Sequence, residues 1–153
     1  MYMIIYKQER KLCIFQKEKL VYTCAIALGK EPIGAKRLEG DFRTPEGKYT
    51  ICLVKEKGKY GKSLGLNYPN EKDAYNALEK GVIDQQTCDV IVTACAQKRR
   101  PPWGTVLGGE IYLHEGDIQS DWTAGCIALT HEAMEQVFSY HLKETIQEVI
   151  IVP

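Results

Sequence analysis

The chain has 153 residues, 44% of them apolar and 26% charged, an ordinary soluble composition and enough length for one domain that folds without disulfides or a structural metal. Lys plus Arg number 20 and Asp plus Glu number 20, giving zero formal charge and none of the basic excess that a phosphate backbone attracts. The longest apolar run, Cys24 to Leu28 with its neighbours, is far short of the ~20 residues a membrane span needs. No nucleic-acid partner and no membrane span are therefore expected.

In chain order, the opening apolar stretch is followed at once by Lys7, Arg10 and Lys11, the reverse of a signal peptide's charge-then-apolar order, so no export signal is read. Four apolar, β-branched runs come first: Met3–Tyr6, Leu12–Phe15, Leu20–Leu28 and Lys48–Val54. Breaks bearing charge, Gly or Pro separate them, which predicts an antiparallel meander. The third run is nearly continuous in apolar character, the pattern of a strand deep in a sheet and covered on both faces. Between the third and fourth runs, KEPIGAKRLEGDFRTPEG reads as a long structured loop, a length often functional.

The middle of the chain is helical. Asn70 is a good N-cap with acidic residues after it, and Gly81 is placed to end that helix. A second helix begins near Asp84, with Cys88, Ile91, Val92 and Cys95 at i, i+3, i+4 and i+7 as one apolar stripe. Pro101 disfavours helical geometry at Arg100 and closes the segment. Strands return at Glu110–His114 and Cys126–Leu129, then a helix from about Thr130 with Met134, Val137, Phe138 and His141 on one face, then a strand at Glu148–Val152. The expected architecture is one α+β domain over 1–153, mostly β, with two or three helices. The six cysteines read as buried thiols rather than a disulfide framework.

The chemistry concentrates in GGEIYLHEGDIQSDWTAGCIAL, which sets His114 at the end of one strand and Cys126 at the start of another. A thiol reacts as its thiolate, and a neighbouring imidazole that takes the proton raises the reactive fraction. Gly125 lets backbone approach an incoming carbonyl, and the N–H groups of this turn could face a developing oxyanion. By pattern alone Cys126 reads equally as a small core residue and His114 as a satisfied strand-end histidine. His131 sits at a helix start, where the macrodipole disfavours an imidazolium, and His141 lies on an apolar face, so His114 is the candidate base. Cys88 and Cys95 lack further ligands at metal spacing, and no metal is expected.

Four ordered segments, GDFRTPEGKYTI (40–51), SLGLNYPNEKDA (63–74), RRPPWGTVLGGEIYLH (99–114) and DWTAGCIALTHEAME (121–135), resemble the L,D-transpeptidase catalytic domain, also called YkuD. The resemblance runs from about Ile4 to Pro153. Thr123-Ala124-Gly125-Cys126 is similar to the family's nucleophile turn and His114 to its upstream histidine. The chain carries Glu115 where the family usually has glycine, with Gly116 one place later, and Ala124 where many members have a second histidine.

The resemblance implies a β-rich fold and acyl transfer on peptidoglycan stem peptides. Cys126 would attack the amide before a terminal D-alanine, His114 would move the proton, and no cofactor would be needed. Gly125, Thr123 and Ala124 would shape the turn and its oxyanion site. Ser120, Asp121, Glu115 or a backbone carbonyl would orient the imidazole, and Asp121 is the most suggestive because it leads into the turn. Arg43, ahead of Lys98, Arg99 and Arg100, is the first choice to bind substrate carboxylates, while Tyr68 and Trp122 line the cleft or pack beneath it. The alternative is a non-catalytic peptidoglycan-binding module of the same fold; a dithiol redox protein would need a C-x-x-C pair that is missing. The substrate class points to the cell envelope, against the unseen export signal. Oligomeric state is not encoded.

Overall fold

The structure, a computed structural model, describes residues 1–59 and 61–153. Its first three strands, β1 (Tyr2–Tyr6), β2 (Lys11–Gln16) and β3 (Lys19–Ala25), form the expected meander, each antiparallel to the next. Along β1 the period-two alternation sends Met3 and Ile5 into the core between half-exposed neighbours. After β4 (Gly47–Tyr49) come β5 (Ile51–Gly58), β6 (Gly61–Leu66), β7 (Tyr112–Glu115), β8 (Ile127–Leu129) and β9 (Glu148–Val152). One sheet has the order β3-β2-β1-β9-β4, with β9 parallel to β1, and the other the order β5-β6-β7-β8. With helices α1 (Glu71–Glu79), α2 (Gln85–Ala96) and α3 (His131–Lys143), the molecule has the mostly-β α+β composition expected.

Two strand expectations are corrected. The third apolar run is not a strand covered on both faces, because β3 is the outer strand of its sheet and its side chains are half-exposed or exposed. Only the continuation Ile26–Leu28 is deeply buried, where the chain leaves the first sheet and Ala27 bridges to Ala128 of the second. The run Lys48–Val54 is two strands in different sheets. Between them Thr50 gives its N–H to Asn67 Oδ1 (2.8 Å) and takes the Asn67 N–H (3.0 Å), which turns the chain from one sheet to the other. β6, with the sequence GKSLGL, carries no strict alternation and is not expected from the sequence.

The two sheets and α3 enclose one core: Met3, Ile5, Leu12 and Ile14 from the first sheet, Leu64, Leu113, Ile127 and Leu129 from the second, and Met134, Val137 and Phe138 from α3. The helix starts are fixed by their caps. Asn70 and Asp73 form a reciprocal capping box on α1, while Asp84 and Thr130 accept the N–H groups of Thr87 and Ala133 on α2 and α3. Cys88 and Ile91 are buried with Ala74 and Ala77 in a second cluster between α1 and α2, whereas Val92 and Cys95 lie at its rim. Of the six thiols only Cys13 and Cys88 are buried, so the expectation of buried cysteines holds for those two.

The loop 30–46 is structured, as expected of its length. Lys7, almost wholly buried, gives its ammonium to Gly34 O (2.8 Å), Thr44 O (2.9 Å) and Glu46 Oε2 (2.9 Å). Further along, Asp41 accepts from Lys36 Nζ and from the N–H groups of Arg37, Leu38 and Arg43. These staples carry the loop across from the first sheet to the edge of the second.

Candidate active site

β7 and β8 run parallel with Leu113 beside Ile127 and His114 beside Ala128. One residue back in the same register, Tyr112 falls beside Cys126. Alternation sends Leu113, Ile127 and Leu129 into the core and leaves Tyr112, His114 and Cys126 outside it. A strand spacing of about 4.8 Å and a two-residue rise of about 6.6 Å put the Cα atoms of His114 and Cys126 about 8 Å apart, a gap that a thiol and an imidazole reach across.

The turn before β8 is held by its own side chains. Thr123, almost fully buried, donates its hydroxyl to Cys126 O (2.7 Å) and accepts the Gly125 N–H (3.1 Å). Gly125 has φ +140°, and a Cβ there would stand 2.7 Å from Arg43 O and 3.0 Å from Ile111 Cδ1, so only glycine lets the loop 30–46 pack on the turn. The Gly125 N–H is therefore committed to Thr123, a correction to its expected availability for an oxyanion. Ala124 is exposed at the tip.

Cys126 is half-buried, and its sulfur donates to Glu110 O (3.3 Å) and accepts the Tyr112 N–H (3.4 Å). Burial pushes the thiol pKa up, the Tyr112 N–H opposes this, and the Glu110 carboxylate adds to the rise. His114 is buried, with Nδ1 2.8 Å from Glu115 O. A carbonyl only accepts, so Nδ1 carries the proton and Nε2 keeps its lone pair, the tautomer a general base requires. Burial lowers the His114 pKa, partly countered by that hydrogen bond. Trp122 packs edge-on against the imidazole at 5.9 Å and anchors its indole N–H on Asp117 O (2.7 Å). Gly116 makes room for it, since a Cβ there would lie 2.7 Å from Trp122 Cζ2. The glycine displaced by one place from the family pattern thus serves the indole.

Of the groups expected to orient the imidazole, the backbone carbonyl of Glu115 does so. Asp121 instead binds Arg10 through both oxygens (3.1 and 2.8 Å) and takes the Leu28 N–H (2.9 Å), tying the β1–β2 turn to the segment before Cys126. The Glu115 carboxylate turns away to His131 Nδ1 (2.8 Å) and raises the pKa of that ring, against the macrodipole expectation. Ser120 is exposed. His141, half-buried, accepts the Ile146 N–H.

Cys126 opens into a cavity of about 310 Å³ lined by Lys36, Glu39, Gly108–Tyr112 and Ala124 among others. Arg43 does not line it: its guanidinium lies over Gly34 on the far side of the loop, and its main chain is what reaches the turn. Tyr68 is buried, donates its hydroxyl to Leu107 O (2.9 Å) and borders a different cavity beside α1. Arg99 bonds Gln97 and Arg100 stacks on Trp103, and neither lines the cavity. Sequence reading missed Lys36, Glu39 and the Glu110–Tyr112 backbone at the sulfur. The Gly108-Gly109 break was visible, but the left-handed φ of +55° at Glu110 that aims its carbonyl at the thiol was not.

Comparison with known proteins addresses the family and the fold. The family model for the L,D-transpeptidase catalytic domain, YkuD, matches residues 1–151. The Escherichia coli K12 protein YafK, classed with the L,D-transpeptidases, is 23% identical over 145 residues, which cover 91% of this chain and 46% of YafK. Among solved structures, the helical cell shape determining protein Pgp2 from Campylobacter jejuni superposes with a TM-score of 0.67 at 20% identity, over 98% of this chain and 46% of that one. Bdellovibrio bacteriovorus Bd1075 does so with a TM-score of 0.61 at 20% identity, over 99% and 47%. The chain thus spans about half the length of these relatives, and the structural likeness is one of fold. By fold and by a family match over almost its whole length, the chain belongs to the L,D-transpeptidase catalytic-domain family.

Proposed function

We propose that residues 1–153 act as one catalytic unit that performs cysteine-dependent acyl transfer on peptidoglycan stem peptides. The observation that carries this reading is that the parallel register of β7 and β8 brings Cys126, open to a cavity, to the same side of the sheet as His114, whose Nδ1 lies 2.8 Å from Glu115 O. At rest the thiol keeps its proton on Glu110 O. When a substrate carbonyl enters the cavity, the thiol turns from Glu110 O toward His114 Nε2, which takes the proton as sulfur attacks the substrate carbonyl.

The Tyr112 N–H, aimed at the sulfur in the resting state, then faces the tetrahedral oxygen; one such donor is commonly worth about 2.7–4 kcal/mol. His114 returns the proton to the leaving D-alanine amine. In the second half it takes a proton from an acceptor amine, giving a cross-link, or from water, giving a carboxypeptidase product. Thr123 and Gly125 hold the turn, and Trp122 walls the imidazole. No step calls for a cofactor.

The test is a synthetic tetrapeptide ending in L-lysyl-D-alanine, with free D-alanine measured over time. Release by the parent and none by Cys126→Ala supports the enzyme. Binding of the peptide that is equal in parent and Cys126→Ala, with no D-alanine released by either, would favour the non-catalytic peptidoglycan-binding module instead.

A further inference from the structure

Glu115 is the last residue of β7, and it links the two faces of the sheet. Successive side chains of a strand face opposite sides, so His114 lies on the face away from α3 while the Glu115 side chain turns toward that helix, which packs on β6, β7 and β8. Glu115 makes a 2.8 Å hydrogen bond on each side. Its carbonyl accepts the His114 Nδ1–H, and its carboxylate accepts from Nδ1 of His131, the first residue of α3. The peptide between Glu115 and Gly116 is fixed at its other end too, because the Gly116 N–H bonds Leu129 O (2.8 Å). The carboxylate therefore ties to the helix the same strand end that aims a carbonyl at the imidazole, a tie that a glycine at this position lacks.

His131 stands among charges. Glu115 faces it from β7, Glu132 and Glu135 from α3 itself, and Lys62 from β6, with its ammonium on Glu135 Oε2 (2.6 Å). β8 brings only Ile127, Ala128 and Leu129, none of them charged. The hydrogen bond and charge of Glu115 outweigh the positive end of the helix macrodipole and raise the ring's pKa above its ordinary value of about 6.5. When protonated, His131 holds Glu115 by a charge-assisted bond, roughly twice as strong as the neutral bond left once the ring loses its proton.

We infer that His131 is a positioning residue for the acyl-transfer base: in its charged form it fixes Glu115, and through the Glu115 carbonyl it fixes the orientation and Nδ1–H tautomer of His114. This deepens the acyl-transfer reading and rests on it. His131 touches no reacting atom, so it acts on the chemical step and leaves substrate binding alone. Its effect is present at low pH and fades as pH rises through the raised pKa of the ring.

The parent, His131→Ala and His131→Lys are compared between pH 6 and pH 9 for D-alanine release from the tetrapeptide ending in L-lysyl-D-alanine. Ratios between these proteins cancel the titrations of His114 and Cys126 that they share. At pH 6 the parent should exceed His131→Ala about fivefold in kcat, the upper range for an exposed ion pair, with KM equal within about twofold. By pH 9 that ratio should approach one. His131→Lys, whose side chain stays charged across this range, should exceed His131→Ala by a similar factor at every pH. Solvent exchange of the His114 Nδ1–H, read by imidazole nitrogen NMR, reports the contact without catalysis: it should quicken about fivefold in His131→Ala at pH 6 and match the parent by pH 9. A kcat ratio near one at pH 6 would overturn the inference, as would a ratio that stays constant to pH 9, the mark of a merely structural histidine. Failure of the parent to release D-alanine would remove the acyl-transfer reading, and the exchange rates would then decide whether His131 positions the imidazole.

Discussion

His114 and Cys126 are both pushed by burial toward their uncharged forms, the imidazole downward and the thiol upward. At neutral pH the resting pair is therefore imidazole and thiol, and in the proposed reaction proton transfer accompanies attack. The consequence is measurable by iodoacetamide labelling of Cys126, read by mass spectrometry of its peptide. The rate should climb about tenfold per pH unit between pH 6 and 8, as expected below a thiol pKa that lies above its ordinary value of about 8.5. A plateau reached below pH 7 would instead reveal a thiolate–imidazolium pair. Gly125 gives a second prediction. Gly125→Ala must both adopt φ +140° and push a methyl to 2.7 Å from Arg43 O, so it should lose roughly 1–3 kcal/mol of stability and about a hundredfold in acyl transfer. Ala124→Ser, exposed one place earlier, should stay within about 0.5 kcal/mol of the parent by thermal denaturation.

At the scale of elements, the caps and stripes that local chemistry dictates were legible: Asn70, Asp84 and Thr130 start the three helices, and Glu148–Val152 is the last strand. What local chemistry does not dictate is which sheet a strand joins. Thr50 sits in an apolar run that reads as one strand, yet its hydrogen bonds to Asn67, far along the chain, divide that run between two sheets. β3 reads as deeply buried because its residues are apolar, but position at the sheet edge is set by pairing order.

α1 carries a testable conflict of its own. Asp73 closes the capping box and accepts from Tyr49 Oη (2.9 Å), yet burial raises its pKa to about 6. A carboxylate bound more tightly to its proton in the fold contributes stability below its unfolded value near 3.8, and loses it as pH rises through about 6. That contribution is roughly 3 kcal/mol for a shift of this size. His114, with its pKa lowered, has the opposite slope, losing stability as pH falls below about 6.5. Asp73→Asn removes only the first effect, so its melting temperature should fall more steeply than the parent's between pH 7 and 4.5. Parallel curves would show that Asp73 is not proton-linked to folding.

At the scale of the molecule, the candidate site is assembled where the two sheets meet. The loop 30–46 leaves the first sheet, Gly29 passes so close to Phe42 O that a Cβ would lie 2.1 Å away, and Arg43 O presses on Gly125. The Arg10–Asp121 pair ties the first hairpin to the segment before Cys126. Cys126 and His114 could be read from sequence because their spacing and turn residues are local. The roles of Asp121, Arg43 and Tyr68 could not, because each is settled by a partner more than thirty residues away or by the far side of a loop: Arg10 and Leu28, Gly34 and Gly125, and Leu107. Glu110 was hidden for a different reason, since a left-handed backbone at a glutamate has no composition signature.

The proposed function turns on one chemical event, formation of a thioester at Cys126 with His114 as the base. Rapid-quench mass spectrometry of the parent and of His114→Gln with the tetrapeptide ending in L-lysyl-D-alanine reads it directly. The parent should accumulate a covalent adduct equal in mass to the peptide less D-alanine, mapped to Cys126, with His114→Gln forming it at least about a hundredfold more slowly. No adduct on Cys126 in the folded, reduced parent, or an adduct formed equally fast without the imidazole, would contradict it.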